Sequence, residues 1–434
     1  MNTFCITDFG AKTDGTLCTA AIQAAIDACF AAGGGEVTVP AGTFTTATVR
    51  LRSRVTLHLL KDACLLGSRD AEDYTHWTED SVEPLDAEIK RLETAVVAGD
   101  PFTFNYVCTR WRNALIRAFG ANNIAVIGDE NAVIDGADCY DTQGEEGFRG
   151  PHAIGLEGCT GVTLCGYTVV RSANWAHCIF GCRNVTVENV RVMGGHDGVH
   201  FRTCDHVVVK NCVFHTGDDC VAGFDNTDVL VEDCEINTAC SGFRFGGTRV
   251  TVRRCRLFGP AEFMHRFSLT EEEKQQGAAA LPAAHHRRNM LSAFTYFADE
   301  TRLIREQPGA FLVEDCTVEN VDRLLHYNYS GNEVYQKNRP LHDIAFRNLK
   351  ATGIRMPLTL YGSPDCPVTA TFINAHIETV GDIPLMQAAY FERIEWNGVV
   401  TADPRVRVWT EGAVTGDTPV TVETADEPFF TEAI

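Results

Sequence analysis

Long apolar runs are missing from this 434-residue chain. No stretch reaches the ~18 consecutive apolar residues of a membrane-spanning helix, and residues 1–8 carry neither a basic nor an apolar leader. Basic residues are also in short supply, with 37 Lys and Arg against 58 Asp and Glu and a formal charge of −21. Nucleic acid and anionic membranes select basic surfaces, so neither is an expected partner. Cysteine is abundant at 18, yet no Cys-x-x-Cys pair and no compact cysteine framework exists. That argues against a zinc site or a disulfide-stapled fold; no metal and no other cofactor is expected, and the expected compartment is the cytoplasm.

What the chain does have is a beat. Gly161-Val162-Thr163-Leu164, Asn184-Val185-Thr186-Val187, His206-Val207-Val208-Val209, Asp228-Val229-Leu230-Val231 and Arg249-Val250-Thr251-Val252 place their first valines 23, 22, 22 and 21 residues apart. Each unit holds short β-branched runs with Asn, Gly or Asp at the turns and no helical periodicity, which predicts one coil of a parallel β-solenoid. The cysteines keep the same time: Cys159, Cys182 and Cys204 are spaced by 23 and 22 residues, and Cys212, Cys234 and Cys255 by 22 and 21. Stacked one coil above another, they form inward ladders of small buried side chains.

Weaker copies extend the pattern from Asn123-Ile124-Ala125-Val126 to Asp343-Ile344-Ala345-Phe346. The expected architecture is all-β: a single right-handed parallel β-helix domain over residues 1–434. A capping helix at about 17–34, alanine-rich and stopped by Gly33-Gly34-Gly35, shields the apolar end of the first coils. Insertions are expected at about 68–112 and 259–309, as loops walling a cleft, and irregular coils after about residue 364.

Several segments resemble glycoside hydrolase family 28, the polygalacturonase-like enzymes of the pectin-lyase-like β-helix superfamily. Asp8-Phe9-Gly10-Ala11 and Gly33-Gly34-Gly35-Glu36-Val37 are similar to the superfamily's N-terminal cap, and Ile134-Asp135-Gly136 and Ser172-Ala173-Asn174-Trp175 to stretches before the catalytic coils. His196-Asp197-Gly198 resembles the family's Asn-Thr-Asp-Gly, and Gly217-Asp218-Asp219-Cys220 matches its Gly-Asp-Asp-Cys. The resemblance implies inverting hydrolysis with Asp218 as general acid and Asp197 and Asp219 as the bases that activate water. Independently of the family, Asp197 and Asp219 are 22 residues apart, one coil, so the repeat predicts that they stack with Asp218 beside them. In an inverting glycosidase the carboxyl groups stand roughly 6.5–9.5 Å apart.

The family's Gly-His-Gly and Arg-Ile-Lys segments, the latter gripping the galacturonate carboxylate, are not intact. Cys240-Ser241-Gly242-Phe243-Arg244 stands in place of the first, and no Arg-Ile-Lys occurs. Candidate substrate contacts are therefore Arg244, His196, His200 and Trp175, with His285 and Arg288 from the second insertion; for the histidines, ordinary polar positions on the solenoid wall weigh equally. Trp111, Tyr327 and Tyr329 are either sugar platforms or packing residues. The expected partner is an oligosaccharide, and the expected reaction an exo-acting hydrolysis of pectin-derived or related sugars. A polysaccharide lyase and a non-catalytic glycan-binding β-helix are the competing readings.

Overall fold

The structure, a computed structural model, describes residues 2–75, 109–265, 275, 287–298, 306–329 and 339–428. The chain divides into two compact units, residues 1–218 with 263–287 and residues 219–262 with 288–434. Both are built of parallel β-coils.

In the first unit the repeat is a ladder. Val162, Val185 and Val207 are successive register partners, as are Leu164, Val187 and Val209. All six are buried, whereas the residues between them are half-buried or exposed. Period-two β-branched sequence thus sets which face lines the core. Each coil continues through a second strand, as in Arg191–Met193, and a third, as in Val199–Arg202, before returning. Left-handed residues turn the coil: Asn123, Asn184 and His206 share φ of 54–56° at one corner, and Asn189 and Asn211 share 53–54° at the next. Asn reaches this region most cheaply after Gly, which explains the asparagines beside the valine runs.

The cysteines stack as the spacing predicts. The Cys159 N–H donates to Cys182 Sγ at 3.4 Å, and the thiols of Cys159, Cys182, Cys204 and Cys212 each donate to the carbonyl two residues earlier, at 3.2–3.4 Å. In the second unit Cys234, Cys255 and Cys316 repeat this contact. The thiol therefore fills the core and also satisfies a corner carbonyl. Every cysteine among the described residues is a free thiol.

The N-terminal helix runs Thr19–Ala31, shorter than expected, burying Ile22, Ala25, Ile26 and Cys29 at helical spacing. Its start is delayed because Asp14 and Thr16 form a local turn and the Cys18 thiol bonds back to the Lys12 carbonyl. It packs on the strands Thr3–Cys5 and Gly35–Val39 and so covers the first coils.

In the second unit the ladder runs through Val250, Phe311, Ile344, Ala370, Ile394 and Val414. One sequence expectation needs correction here. The span 259–309 is not one insertion, because Met290–Tyr296 is a full ladder strand that places Ser292 on Ser241 and Phe294 on Phe243. Its Ser-Ala-Phe-Thr sequence lacks the valine signature. After residue 364 parallel pairing continues to Thr421–Thr424, but the register shifts between Val368 and Thr369, and from Ile344 the coil advances are 26, 24 and 20 residues.

Three of the longer excursions share a topological place. Those after Ala63–Gly67, Val133–Asp135 and Arg256–Phe258 all leave between the second and third strands of a coil, rejoining at Ala114–Phe119, His152–Glu157 and Met290–Tyr296. Residues 76–108, within the first expected insertion, lie outside the described residues.

Candidate active site

That same turn carries the acidic residues. Between Arg191–Met193 and Val199–Arg202 the chain passes through Gly194 and Gly195, both left-handed with φ of 84° and 82°. A Cβ on Gly195 would lie 2.9 Å from the Ser172 carbonyl oxygen, so this close turn requires glycine. The preceding coil then fixes the backbone on both sides of the next acid. The Ala176 N–H donates to the Asp197 carbonyl at 2.9 Å. His177 Nδ1 donates to the Gly198 carbonyl at 2.8 Å, while its Nε2 accepts from the Tyr167 hydroxyl at 3.0 Å. A ring that accepts at Nε2 is neutral, and burial pushes the His177 pKa down to about 4.

Asp197 is 4% exposed and its Oδ2 lies 3.1 Å from His200 Nδ1. His200 is stacked on Trp175 with ring centroids 3.9 Å apart and planes 3° from parallel, and Trp175 meets Trp111 edge-on at 5.4 Å. The next coil's turn brings in Asp218, whose carbonyl accepts from Thr216 Oγ1 at 2.6 Å. One oxygen of Asp197 and one of Asp218 lie within 4.8 Å of each other, as equivalent turns of successive coils stand about one strand spacing apart.

Arg149 underlies this pair. Its guanidinium is buried, 3.6 Å from Asp218, 3.5 Å from Glu145 and 3.1 Å from Glu146, and it donates to Asn174 Oδ1 at 3.3 Å. Glu145, whose pKa is raised by burial, is held by Trp111 Nε1 at 3.1 Å and Asn174 Nδ2 at 3.2 Å. A His265 nitrogen lies within 4.8 Å of Asp218. Asp197, Asp218 and His265 offer metal-type donors, but a fixed guanidinium beside Asp218 already supplies the positive charge that a cation would bring.

In the second unit Asp219, 3% exposed, accepts the Ser241 N–H at 2.9 Å. Ser241 is thus the residue beside Asp219, whereas Arg244 lies three positions on, in register with Ala222 and Thr295. Arg244 is half-buried, its guanidinium 4.0 Å over the Phe297 ring. Arg288 donates to the carbonyls of Ala261 and Glu262, bracing its own loop. His196 is 1% exposed, stacked on Phe148, and driven toward its neutral form by burial and by Arg149. Trp111 and Tyr327 are packing residues at 2% and 0% exposure. His285 lies outside the described residues.

Sequence reasoning missed Arg149, Glu145 and His265. For the first two the signal was an arginine among glycines in Gly144-Glu145-Glu146-Gly147-Phe148-Arg149-Gly150, at the coil position that later carries the aspartates.

Comparison with known proteins agrees with the fold. Residues 152–259 match the family model described as a right-handed β-helix region. An exo-poly-α-D-galacturonosidase of Dickeya chrysanthemi is 30% identical over 251 residues, half of this chain and 41% of that protein's length. Among solved structures, the hyperthermoactive exopolygalacturonase of Thermotoga maritima superposes with a TM-score of 0.59 over 92% of this chain and 91% of its own, at 16% identity. A surface adhesin of Streptococcus pneumoniae superposes with a TM-score of 0.57 over 100% of this chain and 96% of its own, at 13% identity, so the fold alone does not decide the activity. The chain is a right-handed parallel β-helix protein related in sequence to the polygalacturonases.

Proposed function

We propose that this chain is an O-glycosidase acting on pectin-derived or related oligosaccharides. Asp218 is assigned as the acid that protonates the leaving oxygen, and Asp197 and Asp219 as the bases that activate water. The observation that carries the reading is the buried pair Asp197 and Asp218, oxygens within 4.8 Å, on turns fixed by glycine, His177 and Arg149. Paired carboxylates held apart from bulk water suit proton donation to one face of a glycosidic bond and water activation at the other.

Inversion is supported by the family resemblance. The first-formed anomer, read by proton NMR, decides between inversion and retention. Exo action is supported by the resemblance to enzymes so named, and a reducing cytoplasmic location by the unpaired thiol ladders.

The test is incubation of the protein and its Asp218→Asn variant with pectic oligosaccharides, following reducing ends and ultraviolet absorbance together. New reducing ends without absorbance, released one sugar at a time and absent in the variant, are expected. An unsaturated, absorbing product identifies a lyase instead. Binding without turnover identifies a glycan-binding module.

A further inference from the structure

The first unit holds a recess that the aspartate chemistry does not use. Its volume is 440 Å³, and two excursions wall it, with Arg69, Asp70 and Glu72 from one and Tyr140, Asp141 and Gln143 from the other. Both excursions leave at the turn that later coils devote to the acids. Ala63–Gly67 pairs with Val133–Asp135, that strand with Thr168–Val170, and that in turn with Arg191–Met193 and Val213–Thr216. From the nearer wall the Asp197 turn is two strand spacings away, about 10 Å, and the Asp218 turn three, about 14 Å.

Both walls are pinned by their own hydrogen bonds. In the first, the Asp70 N–H donates to Ser68 Oγ at 3.1 Å, the Glu72 N–H to Asp70 Oδ1 at 3.0 Å and the Tyr74 hydroxyl to the Ser68 carbonyl at 2.9 Å. In the second, the Asp141 N–H donates to the Phe148 carbonyl at 3.2 Å and the Gln143 N–H to Asp141 Oδ1 at 2.8 Å. Arg110 clamps one wall to the other, its Nη2 donating to Glu72 at 2.6 Å and its Nη1 to the two oxygens of Asp141 at 3.0 and 3.2 Å. Walls fixed in advance lower the ordering cost of binding.

The lining disfavours a charged ligand of either sign. Three carboxylates stand against Arg69 and Arg110, and nearby Cys139 senses the excess: burial, then Asp141, Asp70, Asp138 and Asp73, push its thiol up to about 12. An anion is repelled in such a field. A cation finds the acids already engaged, Asp141 by Arg110 and Gln143 and Asp70 by Glu72, and the described groups close enough to share a metal ion all include Asp218. Guanidinium, amide and carboxylate edges beside the half-buried Tyr140 ring match a ligand with many hydroxyls, an apolar face and no charge.

We infer that this recess binds a neutral sugar unit of the saccharide whose glycosidic bond reaches the aspartates. The inference rests on the glycosidase reading and adds to its substrate a neutral residue a few units from the bond that is cleaved. The hairpin that carries Tyr140, Asp141 and Gln143 returns through Arg149, which bridges to Tyr140 through the backbone and lies 3.6 Å from Asp218. One element thus forms the recess and braces the acid.

The test is titration of the full chain with galactose, arabinose, rhamnose and xylose, and separately with galacturonate, read by saturation-transfer NMR. At least one neutral sugar is expected to bind, and galacturonate to bind more weakly. Tyr140→Ala and Gln143→Ala, each with the urea midpoint of the unsubstituted protein, are expected to weaken the neutral sugar about fivefold, the scale of one ring contact or one hydrogen bond. No neutral sugar bound, galacturonate bound as tightly, or neutral binding unchanged in both variants overturns the inference. Reducing-end release from pectic oligosaccharides reports separately on the glycosidase reading. Release without neutral-sugar binding sinks the recess alone, whereas binding lost in both variants without any release sustains it as a sugar site on a non-hydrolytic protein.

Discussion

Mild acid is expected to unfold this protein through its buried histidines. His152 and His177 are 1% and 0% exposed, and burial lowers their pKa values from 6.5 to about 3 and about 4. The unfolded chain therefore binds protons near pH 6.5 that the folded chain refuses until pH 4 or below. Stability from these groups is fully present above pH 6.5 and falls as pH drops through the window down to 4 and 3. Between pH 7 and pH 5 each histidine costs about 2 kcal/mol by proton linkage, so the two together cost roughly 4 kcal/mol. His196, also lowered by burial and by Arg149, adds in the same direction. His58, where hydrogen bonds to Asp129 and Glu36 outweigh partial burial and raise the pKa, subtracts a little. The sum is a large fraction of the ~5–15 kcal/mol that holds a typical protein together. Urea unfolding at pH 7, 6 and 5 measures it, with carboxylates still ionised over most of the window. His177→Asn, whose amide can still donate to the Gly198 carbonyl, is expected to reduce the pH dependence by about 2 kcal/mol. A denaturation midpoint that is flat from pH 7 to pH 5, or a His177→Asn variant with the original slope, refutes the reasoning.

Two further outcomes follow from the geometry. Arg149→Met leaves Glu145 and Asp218 buried without their cation and should destabilise the fold by about 3–5 kcal/mol, read as a lowered urea midpoint. Ala310 adopts φ of 51° with its N–H donated to Asp343, so Ala310→Gly relieves a left-handed alanine. It should stabilise by about 1 kcal/mol in the same assay.

The solenoid was legible because stacking imposes identity of role: valine on valine, cysteine on cysteine and asparagine at the corner leave a period that the eye can count. The acids were legible for the same reason, Asp197 and Asp219 being 22 residues, one coil, apart in the sequence with Asp218 adjoining. Arg149 and Glu145 were not, since they enter from an excursion whose length breaks the count and whose charges read as ordinary surface. The strand Met290–Tyr296 was hidden because Ser292 and Thr295 put hydroxyls where earlier coils have valine.

The left-handed corners have a consequence for how such a chain can change. A corner closed by one residue near φ 55°, with a thiol bonded to the carbonyl two residues before it, tolerates little added length without shifting the register of the strands it joins. The turn between second and third strands has no such lock, and there the chain spends five residues, three of them glycine, in one coil, and from Gly136 to Pro151 in another. In the first unit variation is thereby channelled to the turn where Asp197 and Asp218 sit, and the ladder is insulated from it. Grafting a different excursion at Gly136–Pro151 would alter what surrounds Asp218 without asking the coils to fold anew.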